Sequence, residues 1–226
     1  MINIEKNINY TFKSDELKEL ALSHSSFVNE NRASPVDSNE RLEFLGDAAL
    51  ELIVTEYLYD NYPELLEGEL TKLRASVVCE PMLAKKAREL SLGDALKMGK
   101  GEDQTGGRQR ESTLCDLFEA VIGAIYLDGG YEQAKKFALR TLEPEIAYMS
   151  ARFSRNDAKT YLQEQLQKNG AVRIEYTVIS EKGPEHEKTF TVSVSYNDTV
   201  LGTGTGRSKK EAEQNAAANA LETNRI

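Results

Sequence analysis

Glu40, Glu43 and Asp47 lie in the stretch Asn39-Glu40-Arg41-Leu42-Glu43-Phe44-Leu45-Gly46-Asp47-Ala48. At about 100° per residue, a helix places these three carboxylates within an arc of about 60°. Leu42, Leu45 and Ala49 fall on the opposite side, so one helix would carry acid on one face and a core seam on the other. A second acidic pair, Asp116 and Glu119, shares one face of the segment Leu114 to Leu127. The other positions there are nearly all apolar: Leu117, Phe118, Ala120, Val121, Ile122, Ala124 and Ile125. A helix that is apolar around most of its circumference is buried. A buried carboxylate is costly unless it is paired or bound to metal. Gly123 lies on the same stripe and would let another group approach the helix closely.

Inward carboxylates on two helices are how di-metal sites are built in helical bundles. Ligand sets made only of oxygen suit Mg²⁺ or Mn²⁺, and paired hard cations are a usual device for phosphodiester cleavage. An acidic run on a lone helix is ordinarily a solvated face; the apolar setting of Asp116 and Glu119 weighs against that reading. With two cysteines and two histidines, the chain has no disulfide framework and no Cys/His zinc finger. A reducing cytoplasm is expected, and any metal must be held mainly by oxygen. His24 is read as a hydrogen-bonded residue supporting a helix, and Cys115 as a small core residue.

The elements that must position these groups fall into two sets. The first 150 residues read almost entirely as helix, with apolar residues recurring at three and four in Leu42, Leu45, Ala49, Leu52, Ile53 and in Leu65, Leu70, Leu73, Val77. Breaks fall at Ser34-Pro35, Asn61-Tyr62-Pro63, Glu80-Pro81 and Asp128-Gly129-Gly130. The segment Gly99 to Ser112, with four glycines, reads as a mobile loop. A last helix is expected from about Tyr131 to about Met149, kinked or restarted at Pro144. Ser154-Arg155-Asn156-Asp157 reads as a linker and helix start.

Beyond it the periodicity changes. A helix over Ala158–Lys168 stops at Asn169-Gly170. Val172, Ile174, Tyr176 and Val178 alternate with polar residues, as do Phe190, Val192, Val194 and Tyr196. Asn197-Asp198 turns into a third strand, Thr199 to Thr205, and Ser208 opens a final helix with Ala212, Ala216 and Ala220 on one face. This is a small α+β domain with helices on one face of an antiparallel sheet. Gly202, Gly204 and Gly206 alternate along a strand and lack the Gly-Lys-Ser/Thr of a phosphate loop, so they indicate close packing. Lys209 and Lys210 stand in the first turn of the final helix, against the usual dipole preference. A helix amino terminus with added lysines binds phosphate well.

Composition bounds the reading. The chain has 226 residues, 40% hydrophobic and 29% charged. Its longest apolar run, Ala120 to Leu127, is eight residues, whereas a membrane span needs roughly 20. The start Met1-Ile2-Asn3-Ile4-Glu5-Lys6 does not read as a secretory signal. Residues 1–153 carry a net charge of −9 and residues 154–226 a net of zero. Bulk charge therefore disfavours nucleic acid, whose affinity comes from Lys and Arg. Bound cations would remove the conflict by placing positive charge where a phosphate must sit.

The stretch Asn39 to Ala48 resembles the signature of ribonuclease III, the double-stranded-RNA endonuclease. Leu114 to Asp128 resembles that family's second acidic helix, and Ala21-Leu22-Ser23-His24-Ser25-Ser26 its amino-terminal helix motif. About Asn156 to Leu221 resembles a double-stranded-RNA-binding domain. The resemblance implies an all-α endonuclease domain over 1–153, then an α-β-β-β-α double-stranded-RNA-binding domain over 154–226. It implies metal ligands at Glu43, Asp47, Asp116 and Glu119. Glu40 and Glu67 match two further acidic positions near the cleavage site, and Phe44 matches the family's dimer-contact aromatic. RNA contacts carried over are Thr160, Gln163, Glu164 and Gln167 on the first helix, Pro184 and His186 in the strand loop, and Ser208, Lys209 and Lys210. Such a domain reads A-form shape across successive grooves.

The implied enzyme is a cytoplasmic homodimer that uses Mg²⁺, with Mn²⁺ able to substitute, and no small-molecule cofactor or membrane. It hydrolyses duplex RNA to 5′-phosphate and 3′-hydroxyl ends. Ribosomal RNA precursors, structured messenger RNAs and transfer RNA precursors are its expected substrates. Two rivals are a non-catalytic double-stranded-RNA-binding protein on the same fold, and a scaffold whose acidic face is merely solvated.

Overall fold

The computed structural model describes residues 4–32, 34–156, 158–167, 174–184 and 188–223. The chain divides into two compact units, Met1–Ala147 and Tyr148–Ile226. The first is helical: α1 (Ile4–Ile8), α2 (Asp15–Ala21), α3 (Ser25–Glu30), a 3₁₀ turn (Pro35–Asp37), α4 (Glu40–Asn61), α5 (Glu67–Val77), α6 (Glu80–Glu89), α7 (Leu92–Ala95), α8 (Lys100–Gln104), a second 3₁₀ turn (Gly107–Gln109) and α9 (Glu111–Gly129). A long helix, α10 (Tyr131–Asn156), follows. No helix among the described residues is long and apolar enough to cross a membrane.

Helix α9 is the centre of the first unit. Leu114, Leu117, Phe118, Val121, Ile122 and Ile125 are all buried, as its nearly continuous apolar sequence requires. Helix α4 lies along it and buries Leu42, Ala49, Leu50, Ile53, Val54 and Leu58. Each fully buried Leu or Ile contributes about 1.5–3 kcal/mol relative to exposure. The two helices meet backbone to backbone. A Cβ on Gly46 would lie 1.8 Å from the Glu119 carbonyl oxygen, and one on Gly123 would lie 2.2 Å from the Leu42 carbonyl oxygen. The pairings 46 with 119 and 42 with 123 run in opposite directions, so the crossing is antiparallel. At the end of α9, Asp128 accepts from Tyr10 Oη at 2.6 Å and from the Ser14 N–H at 2.8 Å, tying the start of the chain to the central helix.

Three sequence expectations for this unit are corrected. Gly99 to Ser112 is not a loop but α8, a 3₁₀ turn and the start of α9. Side-chain bonds hold it: the Gly99 N–H donates to Ser26 Oγ at 3.0 Å, the Lys100 N–H to Glu30 Oε2 at 2.7 Å, and Arg108 pairs with Asp103 at 3.0 Å and donates to the Gly93 and Leu96 carbonyls. Glycine count signals flexibility, but acceptors from α3, about 70 residues earlier, and the Arg108 side chain fix the turns. Second, α10 does not end near Met149, and the linker expected at Ser154–Asp157 is helical as far as Asn156; Asp157 lies outside the described residues. Polar composition alone does not stop a helix, and Pro144 is accommodated within it. Third, Ala21–Ser26 is a junction rather than a helix: α2 ends at Ala21 and His24 caps α3.

The second unit comprises α11 (Ala158–Gln167), β1 (Ile174–Lys182), β2 (Thr189–Tyr196), β3 (Thr199–Gly206) and α12 (Lys209–Glu222). The strands form an antiparallel sheet in the order β1-β2-β3. Asn197 and Asp198 take φ of 45° and 66°, the left-handed pair of a tight hairpin turn. Val192, Val194 and Leu201 form a core with Leu162 and Leu166 of α11 and Ala212, Ala216 and Ala220 of α12. The glycine stripe of β3 lets α12 sit directly on the sheet: a Cβ on Gly204 would lie 2.1 Å from the Ala216 nitrogen. Strand β1 follows its alternation only in its first half. A bulge between Val178 and Ser180 turns Val178 and Ile179 outward. The expected contributions of Val172 and of the stop at Asn169-Gly170 lie outside the described residues.

The close crossing makes a stability prediction. Gly46→Ala should lower the unfolding free energy of the helical unit by about 1–3 kcal/mol or more, because a methyl must displace main-chain atoms. Gly68→Ala, with nothing within 4 Å of its Cβ, should instead be neutral or stabilise by up to about 1 kcal/mol. Thermal or urea melts of the two variants test the contrast.

Candidate active site

The antiparallel crossing determines which side chains meet. Glu43 and Asp47 flank Gly46 on α4, and Asp116 and Glu119 precede Gly123 by two turns and one turn on α9. Glu43, Asp116 and Glu119 are half-buried, while Asp47 and Glu40 are exposed. Their charges act on one another. Burial, with Asp47, Glu43 and Asp116 nearby, pushes the Glu119 carboxyl up from its ordinary 4.5 to about 7. Burial and the neighbouring Asp116, Glu40 and Asp47 push Glu43 up to about 6. Asp116 is raised by burial, then by Glu80 and Glu40, with His24 opposing. The four carboxylates expected from the sequence are thus brought together, with Glu40 at the margin, where Ser38 Oγ donates to it at 3.3 Å.

Glu67 is not brought to this cluster within the chain. It opens α5, accepts from Thr71 Oγ1 at 3.1 Å, and lines a separate groove of about 550 Å³ with Tyr59, Leu70 and Arg74. Its weak local motif, Leu66-Glu67-Gly68-Glu69, fixed a helix start but not a place beside α9. Glu80, which sequence reasoning missed, does reach the cluster: it acts on both Asp116 and Cys115. The sequence offers Glu80-Pro81 only as a break; the structure makes it the first turn of α6, and the packing of α6 on α9 aims that turn at the carboxylates.

His24 is a helix cap. Its Nδ1 accepts from the Ser26 N–H at 3.2 Å and lies 2.7 Å from Ser26 Oγ, which in turn anchors Gly99. Cys115 is buried, and its Sγ lies 3.8 Å from Glu119 Oε1. The ligand atoms of Cys115, Asp116 and Glu119 all lie within 4.8 Å of one another, a grouping able to hold a metal ion. Burial and the adjacent carboxylates push the thiol far above its ordinary range. Cys115 therefore stays a neutral thiol, and the charged donors are oxygens. Crowded carboxylates raised toward neutrality, with no Lys or Arg paired to them among the described residues, fit hard divalent metal ions.

In the second unit, Thr160, Gln163 and Gln167 of α11 and Lys210 of α12 line one groove of about 510 Å³. Ser208 caps α12, accepting from the Glu211 N–H at 3.1 Å. Lys209 instead turns to β1, 3.4 Å from Glu181, and lies over the Phe190 ring. Pro184 is exposed beyond β1. His186 lies outside the described residues, as does the side chain of Glu164.

A cluster of half-buried and exposed carboxylates joined to a separate α-β-β-β-α module is the build of a metal-dependent nuclease that reads RNA duplexes. Residues 14–146 match the family model described as ribonuclease-III-like, and residues 158–224 match the double-stranded RNA binding motif. The chain is 51% identical over 218 residues to "Ribonuclease 3" of Pelotomaculum thermopropionicum, covering 96% of this chain and 90% of that one. It is 50% identical to "Ribonuclease 3" of Bacillus cereus strain G9842, covering 96% and 88%. The crystal structure of the nuclease domain of ribonuclease III from Campylobacter jejuni superposes with a TM-score of 0.58 at 45% identity, over 63% of this chain and 92% of that one. The chain belongs to the ribonuclease III family, and it is an endoribonuclease of double-stranded RNA rather than a non-catalytic binder or a scaffold.

The raised carboxyls predict a pH dependence. Glu43 and Glu119 hold protons more tightly folded than unfolded, so their contribution favours the folded chain below about pH 4.5. That contribution is lost as pH rises through about 6 and about 7. In metal-free protein, the gap in melting temperature between Glu119→Gln and wild type should widen from pH 5 to pH 8 in favour of the variant. Divalent metal should close it. A gap that stays constant with pH would show that the cluster is not strained by charge.

Proposed function

We propose that the helical unit cuts both strands of an RNA duplex as a homodimer, one site per strand, using Mg²⁺ or, in its place, Mn²⁺. The observation carrying this is the mutual crowding of Glu43, Asp47, Asp116 and Glu119 at the Gly46–Gly123 crossing. These four residues would hold the divalent ions, which when bound supply Lewis-acid charge to the phosphodiester and a nucleophilic water. Helix α9 keeps Asp116 and Glu119 half out of solvent, which strengthens their hold on a cation. Helix α4 sets Glu43 and Asp47 opposite them without a flexible loop between. Glu40 and Glu80 add negative charge at the rim. Glu67, which lines a separate groove within one chain, is proposed as a further acidic residue near the cleavage site.

Phe44, on the acidic helix, is 81% exposed. A large apolar side chain so placed is suited to burial against a second copy. The nuclease domain of Campylobacter jejuni ribonuclease III, 45% identical, has a structurally flexible region involved in dimer formation. In the second unit, Thr160, Gln163 and Gln167 would meet a minor groove, while the first turn of α12, with Lys209 and Lys210, would meet phosphates. Precursors of ribosomal and transfer RNA and structured messenger RNAs, met in the cytoplasm, are the proposed substrates. The domain division is placed after residue 153, so that residues 1–153 carry the chemistry.

Glu119→Gln should abolish cleavage of a long RNA duplex by Mg²⁺-supplied protein while leaving duplex binding within about twofold. Gel-shift and cleavage on one preparation check this, and persistent cleavage would refute the ligand assignment. A mixed dimer of wild-type and Glu119→Gln chains, purified through two tags, should nick one strand only. Native and denaturing gels run side by side distinguish nicks from breaks. Prompt double-strand breaks, with subunit exchange and rebinding excluded, would mean that one site serves both strands.

A further inference from the structure

The RNA-facing residues of the second unit come from two helices, and a cluster around Lys159 ties those helices together. Lys159 is the second residue of α11, where a helix leaves its first N–H groups without an internal acceptor. Its N–H donates to Gln214 Oε1 of α12 at 3.0 Å. Its ammonium lies 2.5 Å from Glu213 Oε2, also on α12, and 4.2 Å from the centroid of the Tyr176 ring on β1. Lys159 is thus held by a neighbouring helix and by the sheet beneath. Burial and nearby Glu213 push the Tyr176 phenol up to about 12, so it stays neutral below the ammonium.

Gln214 stands four residues after Lys210, on the same face of α12. The groove between the helices is lined by Thr160, Gln163 and Gln167 on one wall and by Lys210 and Gln214 on the other. Helix α12 cannot slide on its own sheet, because Ala216 and Ala220 sit against Gly202 and Gly204 without side-chain cushioning. Helix α11 packs through Leu162 and Leu166 on apolar contacts, which resist separation but set register weakly. The bond from Lys159 to Gln214, beside the Lys159–Glu213 ion pair, adds a directional tie that those contacts lack.

We infer that Gln214 is a positioning residue for duplex recognition: by capping α11 from α12 it fixes the offset between the row Thr160, Gln163, Gln167 and the phosphate-directed Lys210. This rests on the RNA-facing reading given above. Binding sites need their groups held to within about 0.5 Å, and a shape-reading module has no base-specific bonds with which to correct a loose offset.

The test is duplex-RNA binding by the full chain across a salt series, with divalent metal chelated so that the RNA stays intact. Gln214→Met keeps the length of the side chain and removes the acceptor. It should weaken binding roughly three- to tenfold, the range of one lost hydrogen bond, with a salt slope between those of the wild type and Lys210→Ala, because the displaced lysine neutralises phosphate less well. Lys210→Ala should weaken binding and reduce the salt slope by about one. In the double variant the effect of Lys210→Ala should shrink, because a misplaced lysine has less to lose. Thermal melts accompany each variant. If Gln214→Met acts only by loosening the fold, the melting temperature falls, the two effects multiply without coupling, and the inference is overturned. Unchanged binding by Gln214→Met beside weakened binding by Lys210→Ala overturns it too, and leaves the RNA surface standing. Unchanged binding by Lys210→Ala overturns the RNA surface itself and the inference with it.

Discussion

The contact on which the nuclease unit depends is the main-chain approach of α4 to α9 at Gly46 and Gly123. With any side chain at either position the helices must part, since a Cβ would stand 1.8 Å or 2.2 Å from a carbonyl oxygen. Because the helices touch, Glu43 and Asp47 are held close enough to Asp116 and Glu119 for their charges to act on one another, with three of the four half out of solvent. The charge has two ways out. Protons can be taken up, which is why Glu119 and Glu43 rise to about 7 and about 6, or cations can enter. The same packing that builds the core builds the demand for metal. It also explains how a chain of net charge −9 can approach a polyanion.

The second unit uses small residues for the same end, a close fit that fixes geometry. Glycines along β3 receive alanines of α12, so the helix carrying Lys209 and Lys210 is seated by its backbone. The unit spends little charge on this. Lys209 is shared with Glu181 and Lys159 with Glu213, so the phosphate-directed charge proposed for the first turn of α12 falls mainly to Lys210. A neutral module that binds by shape rather than by bulk charge follows from that arrangement.

Much of this was legible in the sequence, and particular residues show where legibility stopped. The acidic stripe of α4 and the two carboxylates of α9 followed from helical spacing, and the apolar surroundings of Asp116 and Glu119 argued for burial, which the structure bears out in part. Gly123 signalled a close approach, but that the approaching group is Gly46 of the acidic helix is a fact of packing. Glu80 and Glu67 show the limit most clearly. Both begin helices, and only the docking of α6 on α9 brings the first to the cluster of its own chain. The segment Gly99–Ser112 misled because glycine content measures freedom in the unfolded chain; Ser26, Glu30 and Asp103, most of them far away in sequence, remove that freedom. Ser154–Asn156 misled because a polar run was taken as a boundary where no residue breaks the helix.

The central claim is that the four carboxylates form one charge-crowded pocket that exchanges protons for divalent cations. Calorimetric titration of the full chain with Mg²⁺ at about pH 6.5, between the two raised values, in two buffers of different ionisation enthalpy, measures the protons released per cation bound. Net proton release on binding is expected at this pH, fading toward pH 8.5 and much reduced in Glu119→Gln. Mg²⁺ binding without proton release, or release that Glu119→Gln leaves unchanged, would contradict it.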